Sequence, residues 1–344
     1  MALIDHKKTA EYTHEKMIMN KRIASLLSYP MISCFVTIVF FYGTSYAQTT
    51  KISGKILGAV NKKESIYIRQ ILDYSLSPKF VYTNLDSAET DSLGNFSLAW
   101  MLKAPGPITI SYGKNSIELF LNPSDSLFLE CTYPFQWQRM VCRGSSAMEN
   151  NLLLAIGKCE ESRKKIKRKY DQTEPIKFLH QNDSIKALEE SLSKEVPFIS
   201  SAFSNYLRNE IQYHWANENF LYIWKRYNTM IKVGDKLPLD SLFFHFLKQV
   251  PISNESALEN KIYYTFLDSY LHYQMPQYFT GQYIEKPLKN FYVEKFEQAD
   301  KCLQKKVAWV AKERILHEAE QAHIPEKDIQ KLKESLENSI LEKN

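Results

Sequence analysis

The sequence predicts an α+β protein of more than one domain, in which an N-terminal antiparallel β-sandwich is followed by an all-α helical domain. Two periodicities predict this division. From Lys51 to Cys142, short runs alternate apolar and polar residues, as in strands that bury one face. After Gly144, apolar residues recur every three or four positions, as on one face of a helix. We therefore expect upstream residues and a signal peptide over 1–47, the sandwich over 48–143 and the helical domain over 144–344.

The strand region contains a clear hairpin pattern in AETDSLGNFSLAW, residues 88–100. Asp91 is suited to accept hydrogen bonds from the backbone that follows it, and Gly94 supplies the positive φ that a tight turn needs. Phe96, Leu98 and Trp100 then alternate as a strand. Since turn residues answer backbone needs first, we interpret this hairpin as scaffold rather than as a chemical site.

The helical region begins with SSAMENN, in which Ser146 and Glu149 have the spacing of a capping box. The next feature is a basic run from Glu160 to Tyr170, for which we expect a solvated helix face. The alternative is contact of this run with an acidic partner or with anionic lipid headgroups.

The N-terminal segment predicts export. Residues 23–47 carry no charged side chain, follow Lys21 and Arg22, and end with Ser45 and Ala47 before Gln48. A basic start, an apolar middle and small residues before the cut are typical of a cleaved signal peptide. The alternative is an uncleaved membrane anchor, because the segment is long enough to span a bilayer. We expect a protein of the periplasm or cell envelope that contacts the membrane only through this segment.

Charge argues against a nucleic-acid partner. The chain has 44 basic and 39 acidic residues, and five and three of them precede Gln48. The remaining 39 and 36 leave a net charge of +3, which is too small for an electrostatic footprint on nucleic acid.

Cysteine usage leaves two interpretations open. Cys131 and Cys142 flank a predicted turn, so either a disulfide joins neighbouring strands or both are buried free thiols. No Cys-x-x-Cys occurs in the chain, which excludes a thioredoxin-type redox pair and a Cys-x-x-Cys zinc knuckle.

No other pattern predicts a catalytic residue, a cofactor or a metal site. The chain contains no Gly-x-Ser-x-Gly, phosphate-binding loop or Gly-x-Gly-x-x-Gly sequence. His317 and His323 are six residues apart, and on a helix this spacing points their rings in different directions.

An aromatic stretch from Tyr206 to Tyr227 is the strongest candidate for a ligand surface. Tyrosine and tryptophan rings can stack on sugars or peptides, but at helical spacing they more often pack in a core with a polar tip outward, and this is the interpretation that we favour. The residues of this candidate surface are Tyr206, Tyr213, Trp215 and Trp224.

Four stretches occur in a characteristic order behind the signal segment: KISGKILGA at 51–59, TDSLGNFSL at 90–98, LFLNPSDSLFLE at 119–130 and CRGSSAMENNLLL at 142–154. Together they resemble the N-terminal part of exported TlpA-like thiol–disulfide oxidoreductases of Bacteroidota, with Ser124 where that family usually has glycine. The resemblance implies a β-sandwich, then a helical segment, then a thioredoxin domain.

The Trp-Cys-x-x-Cys motif that carries redox chemistry in that family is missing from this chain, so no residue inherits the catalytic role. The resemblance implies a non-catalytic accessory module for an envelope protein or peptide partner, or the product of a truncated gene. The alternative is a ligand-binding protein or enzyme that uses the cleft between the two domains.

Overall fold

The computed structural model describes residues 49–59, 64–73, 81–133, 139–197, 199–233, 241–275 and 288–341. These residues belong to one compact unit, Thr49–Asn344. The predicted signal segment lies outside the described residues. Among the helices of the described ranges, none is both long and apolar enough to cross a membrane.

Eight strands make up the sheet region, residues 49–144 of the described chain. They are β1 (Thr50–Leu57), β2 (Ser65–Asp73), β3 (Val81–Glu89), β4 (Asn95–Trp100), β5 (Gly106–Tyr112), β6 (Asn115–Leu121), β7 (Ser126–Thr132) and β8 (Val141–Gly144). They form two four-stranded sheets, ordered β4-β1-β7-β8 and β3-β2-β5-β6. Alternate apolar side chains from both sheets, such as Ile52 and Leu129 from one and Ile66 and Ile110 from the other, meet in one buried cluster.

One strand pair differs from the antiparallel prediction. β1 and β7 run parallel, with Ile52 opposite Leu127, while the other described pairs are antiparallel. The prediction was wrong here because an alternating pattern reports only which face of a strand is buried, and that face is the same in either direction.

Seven α-helices make up the helical region, the described residues after 144. They are α1 (Ala147–Lys167), α2 (Pro175–Glu195), α3 (Ser201–Val233), α4 (Lys261–Tyr273), α5 (Leu288–Cys302), α6 (Lys305–Gln321) and α7 (Glu326–Leu341). Short 3₁₀ segments occupy Tyr170–Gln172, Ser241–Gln249 and Glu255–Ala257. Every described strand precedes these helices, so the mixed α+β class and the change of period near Gly144 are confirmed.

The hairpin before β4 forms as its residues predict. The Asp91 carboxylate accepts from the backbone N–H of Leu93 at 2.9 Å and of Asn95 at 2.8 Å. Gly94 has a φ of 80°, and a Cβ atom there would lie 2.4 Å from the carbonyl oxygen of Ile56 in β1. The positive φ of residue 94 and the close approach of the Ile56 carbonyl together require glycine at this position. This requirement supports the interpretation of the hairpin as scaffold.

The predicted capping box at the start of α1 does not form. The buried Ser146 hydroxyl has no hydrogen-bond partner among the described residues. Glu149 instead accepts from the backbone N–H of Ser200, at 2.9 Å, just before α3. The prediction was wrong because Glu149 is buried, and its carboxylate satisfies a distant chain segment rather than its own helix turn.

Candidate functional site

The four aromatic residues proposed as a ligand surface lie mostly in the interior. Tyr206, Tyr213 and Trp215 are buried, and Trp224 is half-buried. The Tyr213 hydroxyl donates to the carbonyl of Pro251 at 2.7 Å, and the Trp215 indole donates to Asp183 at 2.8 Å. Three of the four thus have the buried, hydrogen-bonded environment of core aromatic residues.

The two candidate disulfide cysteines are both buried free thiols. Cys142 in β8 lies opposite Leu129 of β7, so Cys131 is not its direct cross-strand neighbour. Burial raises the pKa of each thiol to about 12. Both are therefore neutral and unreactive at physiological pH.

The histidine pair does not share a helix. His317 lies in α6, which ends at Gln321, and His323 follows with a positive φ of 54°. In the described part of the chain, no group of three or more His, Cys, Asp or Glu side chains is placed to hold a metal ion.

Two consecutive asparagines join the first helix to both sheets. Asn150 accepts from the backbone N–H of Phe120 at 2.9 Å and donates to its carbonyl at 2.8 Å. Asn151 likewise accepts from the backbone N–H of Cys142 at 3.0 Å and donates to its carbonyl at 2.9 Å. Phe120 lies in β6 and Cys142 in β8, each the edge strand of its own sheet. One turn of α1 therefore satisfies backbone groups at both edges, as an added strand would.

Apolar side chains pack beside the hydrogen bonds of the two asparagines. Leu119 and Leu121 of β6 face the sheet core, whereas Phe120 faces the helices. The Phe120 ring centroid lies 5.3 Å from those of both Phe203 and Tyr206 on α3. We call the Asn150, Asn151 and Phe120 contacts the junction between the sheet and helical regions.

A polar cluster borders the junction. Glu118 of β6 accepts from the Tyr206 hydroxyl and pairs with the Lys261 ammonium at the start of α4. The side chains of Glu118 and Lys261 are each 26% exposed. The buried Asn260 amide donates to the carbonyl of Tyr206 at 3.0 Å and to the Glu210 carboxylate at 2.9 Å.

Two groups in this cluster have shifted pKa values. Burial raises the pKa of Glu210 to about 7, and the negative charge of Glu118 acts in the same direction. Burial would lower the pKa of Lys261, but the charge and hydrogen bond of Glu118 outweigh it and raise the pKa. A carboxyl group that titrates near neutral pH beside a second carboxylate is a candidate acid or base.

A groove runs along the helical region, separate from this cluster. Its larger part has a volume of about 500 Å³ and lies between α2 and α3. A second part of about 280 Å³ shares Lys186 and Glu190 with the first, so the two parts are continuous. Neither part is lined by Glu118, Glu210 or Lys261.

The sequence predicted a solvated helix face for the basic run of α1, and the prediction is only partly correct. Arg163 is 2% exposed and forms a bidentate ion pair with the buried Glu189 of α2. In this pair Nη2 of Arg163 lies 2.7 Å from Oε2 of Glu189. Lys167 turns inward to Glu218 at 2.8 Å. Lys164 and Arg168 remain exposed. In a run of basic residues, the sequence gives no sign of which member is buried.

Asparagine usage was the missed signal for the junction. Two adjacent asparagines inside the first turns of a helix are unfavourable locally, because their side chains compete for backbone hydrogen bonds. Asn150 and Asn151 occupy such positions and use those side chains on distant strands.

Comparisons with known proteins do not assign the chain to a family. No model of a known protein family matches it. No curated protein matches it either. A crystal structure of a 9R-lipoxygenase from Cyanothece PCC8801 is similar at 10% identity and a TM-score of 0.17, over 56% of this chain. The match spans 25% of that enzyme's chain.

Proposed function

We propose that this chain is an exported, non-catalytic module of the cell envelope that presents a surface to a protein or peptide partner. In this proposal the two sheets are a β-sandwich and the helices a second domain, divided near residues 143 and 144. Both features are what the resemblance to the N-terminal half of TlpA-like oxidoreductases implies.

The filled junction is the observation that supports a binding role over catalysis. Enzymes built from two domains commonly hold their substrates in the cleft between them. Here Phe120 and Tyr206 pack against each other, and Asn150 and Asn151 bind the strand edges directly. A substrate would have to displace these contacts to enter between the sheets and the helices.

Export is tested by the N-terminus of the protein recovered from envelope fractions of its host. We expect a chain that begins at Gln48, because Ser45 and Ala47 are suited to signal peptidase. Recovery of the chain from the cytoplasm, or with residues 23–47 retained, would contradict cleavage and export as proposed.

The binding role is tested by photo-crosslinking inside living cells. A photoreactive residue replaces Ser193, which lines the groove between α2 and α3, and a control variant carries it at Leu93, which is 62% exposed in the hairpin. We expect position 193, but not position 93, to give a discrete adduct whose partner, once purified, also binds the purified chain. The absence of a defined adduct from both positions would count against a partner-binding module.

The polar cluster supports a second candidate, a ligand-binding or enzymatic site at Glu210. Its pKa of about 7 and the neighbouring Lys261 and Glu118 are the observations that favour it. Chromogenic ester, phosphoester and glycoside substrates test this candidate. Turnover by the native chain that is lost in Glu210→Gln would replace the binding proposal with a catalytic one.

A further inference from the structure

One face of helix α2 lines the whole groove. Its lining residues recur every three or four positions: Leu179, Asp183, Lys186, Ala187, Glu190, Ser193 and Lys194. Between Leu179 and Lys194 a helix rises ~22 Å, at 1.5 Å per residue. The groove is therefore elongated, and it is open to solvent along its length.

The floor of the groove is apolar. Leu207 and Ile211 of α3 lie beneath the larger part and are almost fully buried. Trp215 and Phe246 form the floor of the smaller part. The Lys186 ammonium lies 4.1 Å from the centroid of the Trp215 ring, at the point where the two parts meet.

The rim of the larger part is cationic. Lys186, Lys194 and Arg208 line it against a single acid, Glu190, which lies 3.7 Å from Lys186. Lys194 and Arg208 form no ion pair with any residue in the described ranges. Two cations thus face the groove without an acidic partner from the described chain.

We propose that this groove binds an extended, acidic peptide segment of a partner protein. This inference rests on the proposed binding function and identifies its surface. An extended chain advances about 3.3 Å per residue, so ~22 Å accommodates roughly six or seven residues. Alternate side chains then point apart, which lets apolar ones meet Leu207 and Ile211 while carboxylates reach Lys194 and Arg208.

The test measures binding of a defined probe to the full chain by fluorescence anisotropy. The probe is a fluorescein-labelled heptapeptide in which glutamate and leucine alternate, and its matched peptide has lysine in place of glutamate. We expect the acidic peptide to bind and the basic one not to bind. The double variant Lys194→Glu with Arg208→Glu should weaken binding about tenfold or more, since two charge-assisted contacts are lost and replaced by repulsion.

A matched control makes the same change in net charge elsewhere. Lys327→Glu with Lys331→Glu alters two exposed lysines of α7 that do not line the groove. This control should leave the affinity unchanged. Circular dichroism of both double variants verifies that the helices are intact.

Several results would overturn the inference. They are equal binding of the two peptides, equal weakening by the α7 control, or no binding of the acidic peptide at millimolar concentration. Self-association of the native chain that the groove variant abolishes would assign the groove to a second copy instead. If the in-cell adduct persists in the groove variant, the binding module stands and this choice of surface fails.

Discussion

The interiors of the sheet region and the helical region are stabilised by different chemistry. In the buried cluster of the sheet region the side chains are mainly aliphatic, and Asp125, in the turn before β7, is the one charged residue that the described sheet region buries. The described helices bury several charged side chains, including Arg163, Glu189, Glu218, Lys295 and Lys312. Aliphatic contacts tolerate changes of pH, whereas buried charges depend on each partner and on its protonation.

This contrast predicts the largest effect at the most buried ion pair. Arg163→Met leaves the Glu189 carboxylate buried without its partner, which should lower the free energy of unfolding by about 3–5 kcal/mol. The double variant Arg163→Met with Glu189→Leu should recover most of the loss, since it buries no charge. Urea denaturation measures both. A single variant no less stable than the double one would show that this pair does not stabilise the helices as described.

Acid should weaken the helical region through Glu218. Burial alone would raise its pKa, but hydrogen bonds from His214, Lys167 and Tyr170 outweigh burial and lower the pKa to about 2. A depressed pKa contributes stability that is present above the ordinary value near 4.5 and is lost as the pH falls toward 2. The loss is of order 3 kcal/mol for a shift of this size.

The matched variant for this prediction is Glu218→Gln, which cannot titrate. Its stability should change less between pH 4.5 and pH 2 than that of the native chain, as measured by urea denaturation across that range. Parallel pH profiles for the two proteins would contradict the assigned role of Glu218.

In the sheet region the comparable test is geometric rather than electrostatic. Gly94→Ala forces a left-handed φ and brings a Cβ atom against the carbonyl oxygen of Ile56. We expect a loss of ~1–3 kcal/mol in the free energy of unfolding, with no dependence on pH. Gly106→Ala is the control, because no atom lies within 4 Å of the Cβ position there. Equal effects of the two substitutions would refute the requirement for glycine at 94.

A pH effect of the opposite sign to that of Glu218 is expected at Glu210. Its raised pKa means that the folded state disfavours the charged form, so stability falls as the pH rises from about 4.5 to about 7. Glu210→Gln should therefore gain stability relative to the native chain at pH 8 and less so at pH 4. Thermal unfolding at the two pH values measures this difference, and a variant that is less stable at pH 8 would contradict it.

The same contrast explains what the sequence could and could not predict. Alternation of apolar residues identified the strands, and the Asp91 and Gly94 turn was predicted with its hydrogen bonds, because these features depend on local chemistry. The parallel pairing of β1 with β7 depends on chain direction, which an alternating pattern does not report. Arg163 could not be distinguished from its solvated neighbours, because its burial depends on Glu189, 26 residues away.

The candidate site was harder to predict than the fold. The aromatic stretch was the candidate ligand surface, and Tyr206 and Tyr213 are buried, as the favoured interpretation of core packing at helical spacing expects. The groove depends on a stripe of α2 meeting Leu207 and Arg208 of α3, and only tertiary packing brings those faces together. Asn150 and Asn151 stand at a predicted helix start, but nothing in the sequence identified the strands that they bind.

The most direct test of the junction is amide hydrogen exchange at Phe120 and Cys142, measured by NMR. Asn150 and Asn151 bind these two backbone groups and so join the sheet region to the helical region. We predict that both amides are protected to the level of the buried core of α1, and that Asn150→Ala and Asn151→Ala each remove protection at their own strand. Rapid exchange of the two amides in the native chain, or protection that survives both substitutions, would contradict this role of the asparagines.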